Sequence, residues 1–85
     1  MKKLNLINKN GKYEAVVNPK SETVMLQVKG ATVLSLLISV DGITYVEHTS
    51  NINITNTDIV NIVNAKFMMY LKIQSTNNVE IKILD

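Results

Sequence analysis

The sequence contains no cysteine, arginine or tryptophan and only one histidine, His48. Without cysteine the chain can form no disulfide and has no thiolate nucleophile. A single histidine supplies too few ligands for the usual zinc site, which takes several His or Cys residues. We therefore expect neither a metal nor any other cofactor. A small domain without such a staple often gains stability by oligomerising.

The charged residues give no sign of a nucleic-acid surface. The formal net charge is +2, and the nine basic residues, all lysine, are scattered along the chain among seven acidic ones. They form no basic stripe, and arginine, the residue most used for bidentate contacts to phosphates and bases, is missing. We expect no nucleic-acid partner.

Long apolar runs are also missing. No run approaches the roughly 18 apolar residues of a membrane span, and the start, MKKLNLINKNGKY, lacks the apolar stretch of roughly 7 to 15 residues found in a secretory signal. Hydrophobic residues nevertheless make up 46% of the sequence, which is too many for a disordered chain. We expect one folded domain over residues 1–85, with no membrane segment.

The main positive signal is a period of two. Apolar and polar residues alternate clearly in segments such as 24–28 and 67–73, as they do in half-buried strands. Asn10-Gly11 suits a type I′ hairpin, and segment 57–65 fits a short helix or a bent strand, of which we favour the strand because β-branching lowers helix propensity. The sequence predicts an all-β fold with about seven to nine short antiparallel strands, which suits a sandwich or a small barrel. Of these we favour a compact antiparallel β-sandwich that is jelly-roll-like or Ig-like.

The stretch SVDGITY contains the turn that decides which side chains face inward. Asp41-Gly42 predicts a tight two-residue turn, because both residues tolerate positive φ angles. Val40 then pairs with Ile43, and the same register places Val40, Ile43 and Tyr45 in the core. Asp41 is explained by this backbone geometry rather than by chemistry.

No set of polar residues marks an active site. The carboxylates are mostly predicted on solvent faces or in turns, no serine stands in a nucleophile elbow, and the three glycines are isolated rather than grouped into a phosphate loop. We therefore expect no catalytic residues and a protein that is not an enzyme.

Apolar residues on faces that should be wet are more informative. The tight turn places Leu37 opposite Val46. Met25, Met68 and Tyr70 fall on the outer faces of their strands, and Phe67 and Met69, which alternate with Met68 and Tyr70, face the core. A fold that gathers these five side chains would create a contiguous patch of the kind that marks a protein interface. We predict that they form such an interface; incidental exposure and a two-sided core are the alternatives.

Two segments resemble known β-sandwich modules. The first is SVDGITYVEH, with Ser39, Asp41, Gly42 and Tyr45, and the second is NAKFMMYLKIQS, which starts a strand shortly after Ala65. Together with the closing NNVEIKILD, they resemble the discoidin-like, galactose-binding-like jelly roll and the small virion proteins of tailed bacteriophages, including head decoration and head-fibre proteins. The usage of Lys, Asn and Ile is similar to that of phages of low-GC gut bacteria, including the crAss-like group.

The resemblance to virion proteins implies a structural protein that decorates or stabilises a capsid through protein–protein contacts. Such a protein would bind itself as a homo-oligomer, for which a trimer is well suited, and would be assembled in the host cytoplasm and located in the virion. The resemblance to galactose-binding-like modules implies the alternative, a small carbohydrate-binding sandwich that uses Tyr45, Tyr70 or loop asparagines. We favour the virion protein, because without tryptophan few rings are left for stacking on sugars.

Overall fold

The computed structural model describes residues 1–85, and its regular structure is almost entirely β-strand. Two antiparallel sheets contain all nine strands, which confirms the predicted β-sandwich. No helix has the length and apolar character needed to cross a membrane. The strands are β1 (Lys2–Lys3), β2 (Ile7–Lys9), β3 (Lys12–Val17), β4 (Val24–Lys29), β5 (Thr32–Ser39), β6 (Val46–Ile54), β7 (Thr57–Ile62), β8 (Tyr70–Ser75) and β9 (Glu80–Leu84), with a 3₁₀ turn at Ala65–Phe67 before β8.

The strands pair in a nested order. β1 pairs with β9, β3 with β8, β4 with β7 and β5 with β6, all antiparallel. The first half of the chain therefore pairs with the second half in reverse, and the sheet orders are β1-β9-β4-β7 and β2-β3-β8-β5-β6. This double Greek key is the order of a jelly roll, to which the short β2 adds an extra edge strand. Of the two expected topologies, the jelly-roll-like one is found.

The core lies between the two sheets and takes every second side chain of the inner strands. In β4, Val24, Leu26 and Val28 are fully buried, and in β8 the same holds for Leu71 and Ile73. Burial of each such side chain contributes about 1.5–3 kcal/mol. The core is small, with 14 buried hydrophobic residues in one cluster, so the period-two segments identified in the sequence carry most of it.

The predicted hairpin at Asn10-Gly11 is present. Asn10 has a φ of 55° and Gly11 a φ of 85°, the two positive angles that a type I′ turn requires. The flanking residues, Lys9 and Lys12, pair with each other as expected. Here local sequence alone determines the register.

The predicted two-residue turn at Asp41-Gly42 is wrong. β5 ends at Ser39 and β6 begins at Val46, so residues 40–45 form a longer loop, termed the β5–β6 loop. Of the two turn residues only Gly42 has a positive φ, 77°. The side chains of Ser39, at the end of β5, and Asp41, in the loop, accept hydrogen bonds from backbone N–H groups of the loop and so replace the hydrogen bonds of a tight hairpin.

The longer loop changes the environment of the residues around it. Val40 and Ile43, both predicted in the core, are 82% and 84% exposed. Val46 pairs with Ile38 rather than with Leu37, so the predicted cross-strand pair of Leu37 and Val46 does not exist. The predicted pairing assumed a hairpin with a two-residue turn. The longer loop changes the register between β5 and β6, so that pairing is lost.

The chain between β7 and β8 confirms one expectation and corrects another. Segment 57–65 is a strand over most of its length, as favoured, and the 3₁₀ turn at Ala65–Phe67 follows. Met68, predicted on an outer face, is only 8% exposed and belongs to the core, whereas Phe67 is 71% exposed. The prediction assumed the side-chain period of two of a β-strand. A 3₁₀ turn has three residues per turn, so this alternation does not hold here.

Candidate functional site

One end of the sandwich carries an open groove with mostly apolar walls, termed the apolar groove. Its volume is about 430 Å³, within the range of roughly 300–1,000 Å³ that ligand pockets occupy. The end of β5, the β5–β6 loop, the start of β6 and the turn before β8 supply the walls. The lining residues are Ile38, Ser39, Val40, Asp41, Thr44, Val46, Phe67, Met68 and Met69.

The walls of the groove present large apolar side chains to solvent. Val40, Val46, Phe67 and Met69 are all more than half exposed, while Met68, also in the lining, is buried. Singly exposed apolar residues are normal on protein surfaces. Four of them around one concavity form a contiguous apolar patch, and such patches mark sites of interaction.

The turn before β8 is held firmly by the chain segment that precedes β4. The backbone N–H of Ala65 donates to the carbonyl oxygen of Glu22 at 2.8 Å, and Ala65 is fully buried. Lys66 Nζ lies 2.9 Å from Glu22 Oε2 and 5.2 Å from the centroid of the Phe67 ring. An exposed ion pair contributes little by itself, but together with the backbone bond it holds in place the turn that carries Phe67.

The β5–β6 loop, which forms the opposite wall, folds around the carboxylate of Asp41. Its Oδ1 accepts hydrogen bonds from the backbone N–H of Ile43 at 2.9 Å, the N–H of Thr44 at 3.0 Å and the hydroxyl of Ser39 at 2.8 Å. These bonds, that from Ile43 first, lower the pKa of Asp41 to about 2 because they favour the charged form. Oδ2 accepts no hydrogen bond, so a fixed negative charge stands at the rim of the groove.

Ser39 completes the loop from the other direction. Its Oγ accepts the backbone N–H of Gly42 at 2.9 Å and that of Asp41 at 3.2 Å. Serine and aspartate commonly bond the backbone a few residues ahead in this way. Ser39 and Asp41 thus supply the internal hydrogen bonds of the loop, although the Asp-Gly pair in SVDGITY suits a tight turn equally well.

A second group of residues lies on the outer face of the five-stranded sheet and is termed the outer-face cluster. Glu14, although on this outer face, is only 8% exposed. Its Oε2 accepts a hydrogen bond from Gln74 Nε2 at 3.1 Å, and its Oε1 lies 3.8 Å from Lys72 Nζ. The cluster consists of Glu14, Tyr45, Tyr70, Lys72 and Gln74.

Of the two tyrosines of the cluster, Tyr45 packs over Lys72 of this partly buried ion pair and Tyr70 packs on Gly42. Lys72 Nζ lies 4.0 Å from the centroid of the Tyr45 ring, a cation–π distance. Tyr45 is thus on the outer face, and the prediction that it lies in the core is wrong because the β5–β6 loop folds back over the sheet. The pKa of Tyr45 is raised, mainly because burial disfavours the charged form and secondly because of charge repulsion from the nearby Tyr70. The Tyr70 ring packs on Gly42, where an added Cβ would lie 3.1 Å from it.

The five residues predicted to form an interface lie in three places. Val46 and Met68 line the apolar groove. Leu37 and Tyr70 lie on the outer face of the five-stranded sheet, both half-buried, and Met25 lies half-buried on the outer face of the other sheet. The structure therefore does not join them into one patch.

Three residues of the groove were missed because the sequence reading placed them in the core. They are Val40, Phe67 and Met69, and all three are exposed. The run FMMYL was the available signal, because five consecutive apolar residues cannot all lie on one side of a strand. Of this run, Met68 turns inward and Phe67 and Met69 turn outward.

Other kinds of site find little support. No three His, Asp or Glu side chains lie close enough together to hold a metal ion, and His48 is exposed, with Nδ1 2.8 Å from Thr49 Oγ1. Comparison with protein-family models, with curated proteins and with solved structures finds no match to this chain. The apolar groove is the candidate functional site on the strength of its own geometry.

Proposed function

We propose that this chain is a non-enzymatic structural protein that attaches to a larger protein assembly through the apolar groove. The observation that carries the proposal is the exposure of Val40, Val46, Phe67 and Met69 around one concavity. Burial of apolar surface in a complex stabilises it by about 25 cal/mol per Å². Because the backbone beneath Phe67 is already anchored, little conformational entropy is lost when a partner covers it.

The assembly that we propose is the capsid of a tailed bacteriophage, which the protein would decorate or stabilise as part of the virion. The jelly-roll topology supports this, since it recurs in viral capsid domains and also in lectins. The resemblance of the SVDGITY and NAKFMMY segments to small virion proteins supports it further. The groove would then be the contact with the capsid lattice.

Self-association is part of the same proposal. The protein would form a homo-oligomer, with a trimer as one suitable arrangement, because a domain with so small a core and no disulfide gains stability from a second interface. Light scattering on the purified chain measures this directly. A monomer at high concentration would contradict self-association. If no particle is found to which the protein binds, attachment to the capsid is contradicted as well.

Attachment is tested with purified virions of the phage whose genome encodes the chain. Mass spectrometry of the particles should detect the protein, and added wild-type protein should sediment with particles from which it has been stripped. Phe67→Asp should lower the bound fraction at least about tenfold, because a charge replaces an apolar contact. The matched control is Ile59→Asp, which changes a residue 52% exposed on β7 in the other sheet.

The control decides where the contact lies. If Ile59→Asp lowers attachment as much as Phe67→Asp does, the groove is not the attachment site. If the wild-type protein is neither found in particles nor bound by them, the virion function is wrong.

A carbohydrate-binding module is the alternative function. The observation in its favour is that Tyr45 and Tyr70 share an outer face with Lys72 and Gln74, since aromatic rings next to polar groups suit sugars. Against it, both tyrosines are half-buried and already pack on Lys72 and Gly42. A glycan array separates the two: sugar binding that Tyr70→Ala removes, together with absence from virions, would favour the alternative.

A further inference from the structure

The apolar groove is small and carries one charge, and these two properties restrict what it can bind. It is lined by nine residues, whereas each side of a standard interface between folded proteins has roughly 20–30. The groove by itself thus suits a short chain segment rather than the face of a folded domain. Its volume of about 430 Å³ allows a large apolar side chain to enter.

The charge selects further. Asp41 is the only charged residue in the lining, and its Oδ1 is fully used by bonds from Ser39, Ile43 and Thr44. Its Oδ2 has no partner within the chain and is free to accept a hydrogen bond from a cation. An acidic segment would be repelled at the same point.

The lysine next to the Phe67 wall of the groove does not cancel this selectivity. Lys66 lies next to the Phe67 ring, but its Nζ is paired with Glu22 at 2.9 Å and it is not part of the groove lining. A bound segment would therefore meet an apolar surface with one unpaired negative charge.

We propose that the apolar groove binds an extended peptide segment of the partner protein in which a large apolar side chain stands next to a lysine or arginine. The apolar side chain enters the groove between Val46 and Phe67, and the cation contacts Asp41 Oδ2. This inference rests on the proposed function, because it names the part of the partner that the attachment site recognises.

The test uses three capped peptides, Ac-Gly-Phe-X-Leu-Gly-amide, in which X is Lys, Gln or Glu. Each is titrated into the ¹⁵N-labelled protein to about 5 mM, enough to populate a complex of millimolar Kd. The amides of Gly42, Thr44 and Met69 should shift. The Lys peptide should bind about two- to fivefold more tightly than the Gln peptide, the size expected of an exposed ion pair, and the Glu peptide should bind most weakly.

The matched variant is Asp41→Asn. Its side-chain oxygen can still accept the bonds from Ile43 and Thr44, so the loop is kept while the charge is removed. The Lys and Gln peptides should bind this variant with the same affinity. An unchanged spectrum outside the loop checks that the fold is retained.

Several results would overturn the inference. These are the absence of groove shifts at about 5 mM, equal binding of the Lys and Gln peptides to the wild type, or a Lys preference that survives in Asp41→Asn. A second copy of this chain would be the occupant instead if Phe67→Asp abolishes self-association while no peptide binds.

The inference and the proposed function fail separately. If Phe67→Asp abolishes attachment to virions but no peptide preference is found, the proposed function stands and the partner chemistry is wrong. If the Lys preference is found but Phe67→Asp leaves attachment to virions unchanged, the groove binds peptides and the proposed function is wrong.

Discussion

The apolar groove and the outer-face cluster lie on two sides of the same loop, and each reverses the usual relation between polarity and burial. In the groove, Val40 and Phe67 are 82% and 71% exposed although they are apolar. In the cluster, Glu14 is 8% exposed although it is ionisable and lies on an outer face. Both departures are located around the β5–β6 loop, which supplies Asp41 to the groove and Tyr45 to the cluster.

The difference lies in where the partners are. A buried carboxylate needs a counter-charge and hydrogen bonds, and Glu14 finds them within the chain, in Lys72 and Gln74. The exposed side chains of the groove have no such cover. Changes in the cluster should therefore lower the free energy of unfolding, whereas changes in the groove should lower binding and leave that free energy almost unchanged.

The largest expected loss of stability follows the removal of the cation from the cluster. Lys72→Ala leaves Glu14 with Gln74 as its only side-chain partner, and we expect the free energy of unfolding to fall by about 1–3 kcal/mol. The matched control is Lys82→Ala, whose ion pair with Glu80 has the same 3.8 Å distance but is far more exposed. It should cost less than about 0.5 kcal/mol.

Urea denaturation of both variants measures the comparison. Equal losses in Lys72→Ala and Lys82→Ala would mean that burial of the pair does not matter. The cluster would then be no more than a group of surface charges.

The next largest loss of stability is expected from a change in the β5–β6 loop, which contributes to both the groove and the cluster. Gly42 has a φ of 77°, and a Cβ there would lie 3.1 Å from the Tyr70 ring. Gly42→Ala should therefore lower the free energy of unfolding by about 1–2 kcal/mol from the backbone strain alone, and the crowded ring should add to that loss. It should also weaken binding at the groove, since the loop forms one wall.

The control for Gly42→Ala is Gly11→Ala. Gly11 has a similar φ of 85°, but a Cβ there would meet nothing within 4 Å. Denaturation of the two variants thus separates backbone strain from the contact with Tyr70. An equal loss in both would show that the loop does not rest on the ring.

This loop also marks how far the sequence alone predicts the structure. The fold class followed from alternating segments such as 24–28, because a strand that buries one face does so whatever loop comes next. The hairpin at Asn10-Gly11 followed from two residues that need no distant contact. The fold class and this register were therefore predictable from local pattern.

The β5–β6 loop could not be predicted in the same way. Asp-Gly suits a tight turn as well as a longer loop, and the choice is tied to Gly42 packing on Tyr70 and Tyr45 packing on Lys72. Both of these contacts are distant in sequence. An error in this one turn misplaced Val40 as well, so only part of the groove was predicted.

A smaller effect on stability is expected in the groove itself. Phe67→Asp should change the free energy of unfolding by less than about 0.5 kcal/mol, because the side chain is mostly exposed and has little packing to lose. Together with the loss of attachment, this unchanged stability would show that the groove serves binding alone. A loss as large as that of Lys72→Ala would instead mean that Phe67 is part of the core packing and that the two regions do not differ.

The smallest effect on stability is expected from the charge of Asp41. This side chain is exposed, so water weakens the hydrogen bonds that it accepts. Its pKa is lowered from 3.8 to about 2 in the folded state, so its contribution to stability is fully present above the unfolded pKa and is lost as the pH falls through about 2. The carboxyl ¹³C shift should titrate with that low midpoint, and Asp41→Asn should lack this part of the acid dependence. A midpoint near 3.8 would mean that the bonds from Ile43 and Thr44 do not persist in solution.

The same titration tests the charge at the rim of the groove. At pH about 3 most of the Asp41 side chains should still be ionised, whereas a carboxylate with the ordinary pKa would be mostly protonated. The preference for the Lys peptide over the Gln peptide should therefore persist at that pH in the wild type. If the preference disappears near pH 4 while the Asp41 carboxyl shift titrates near 2, a carboxylate other than Asp41 holds the cation, and the groove is not the source of the selectivity.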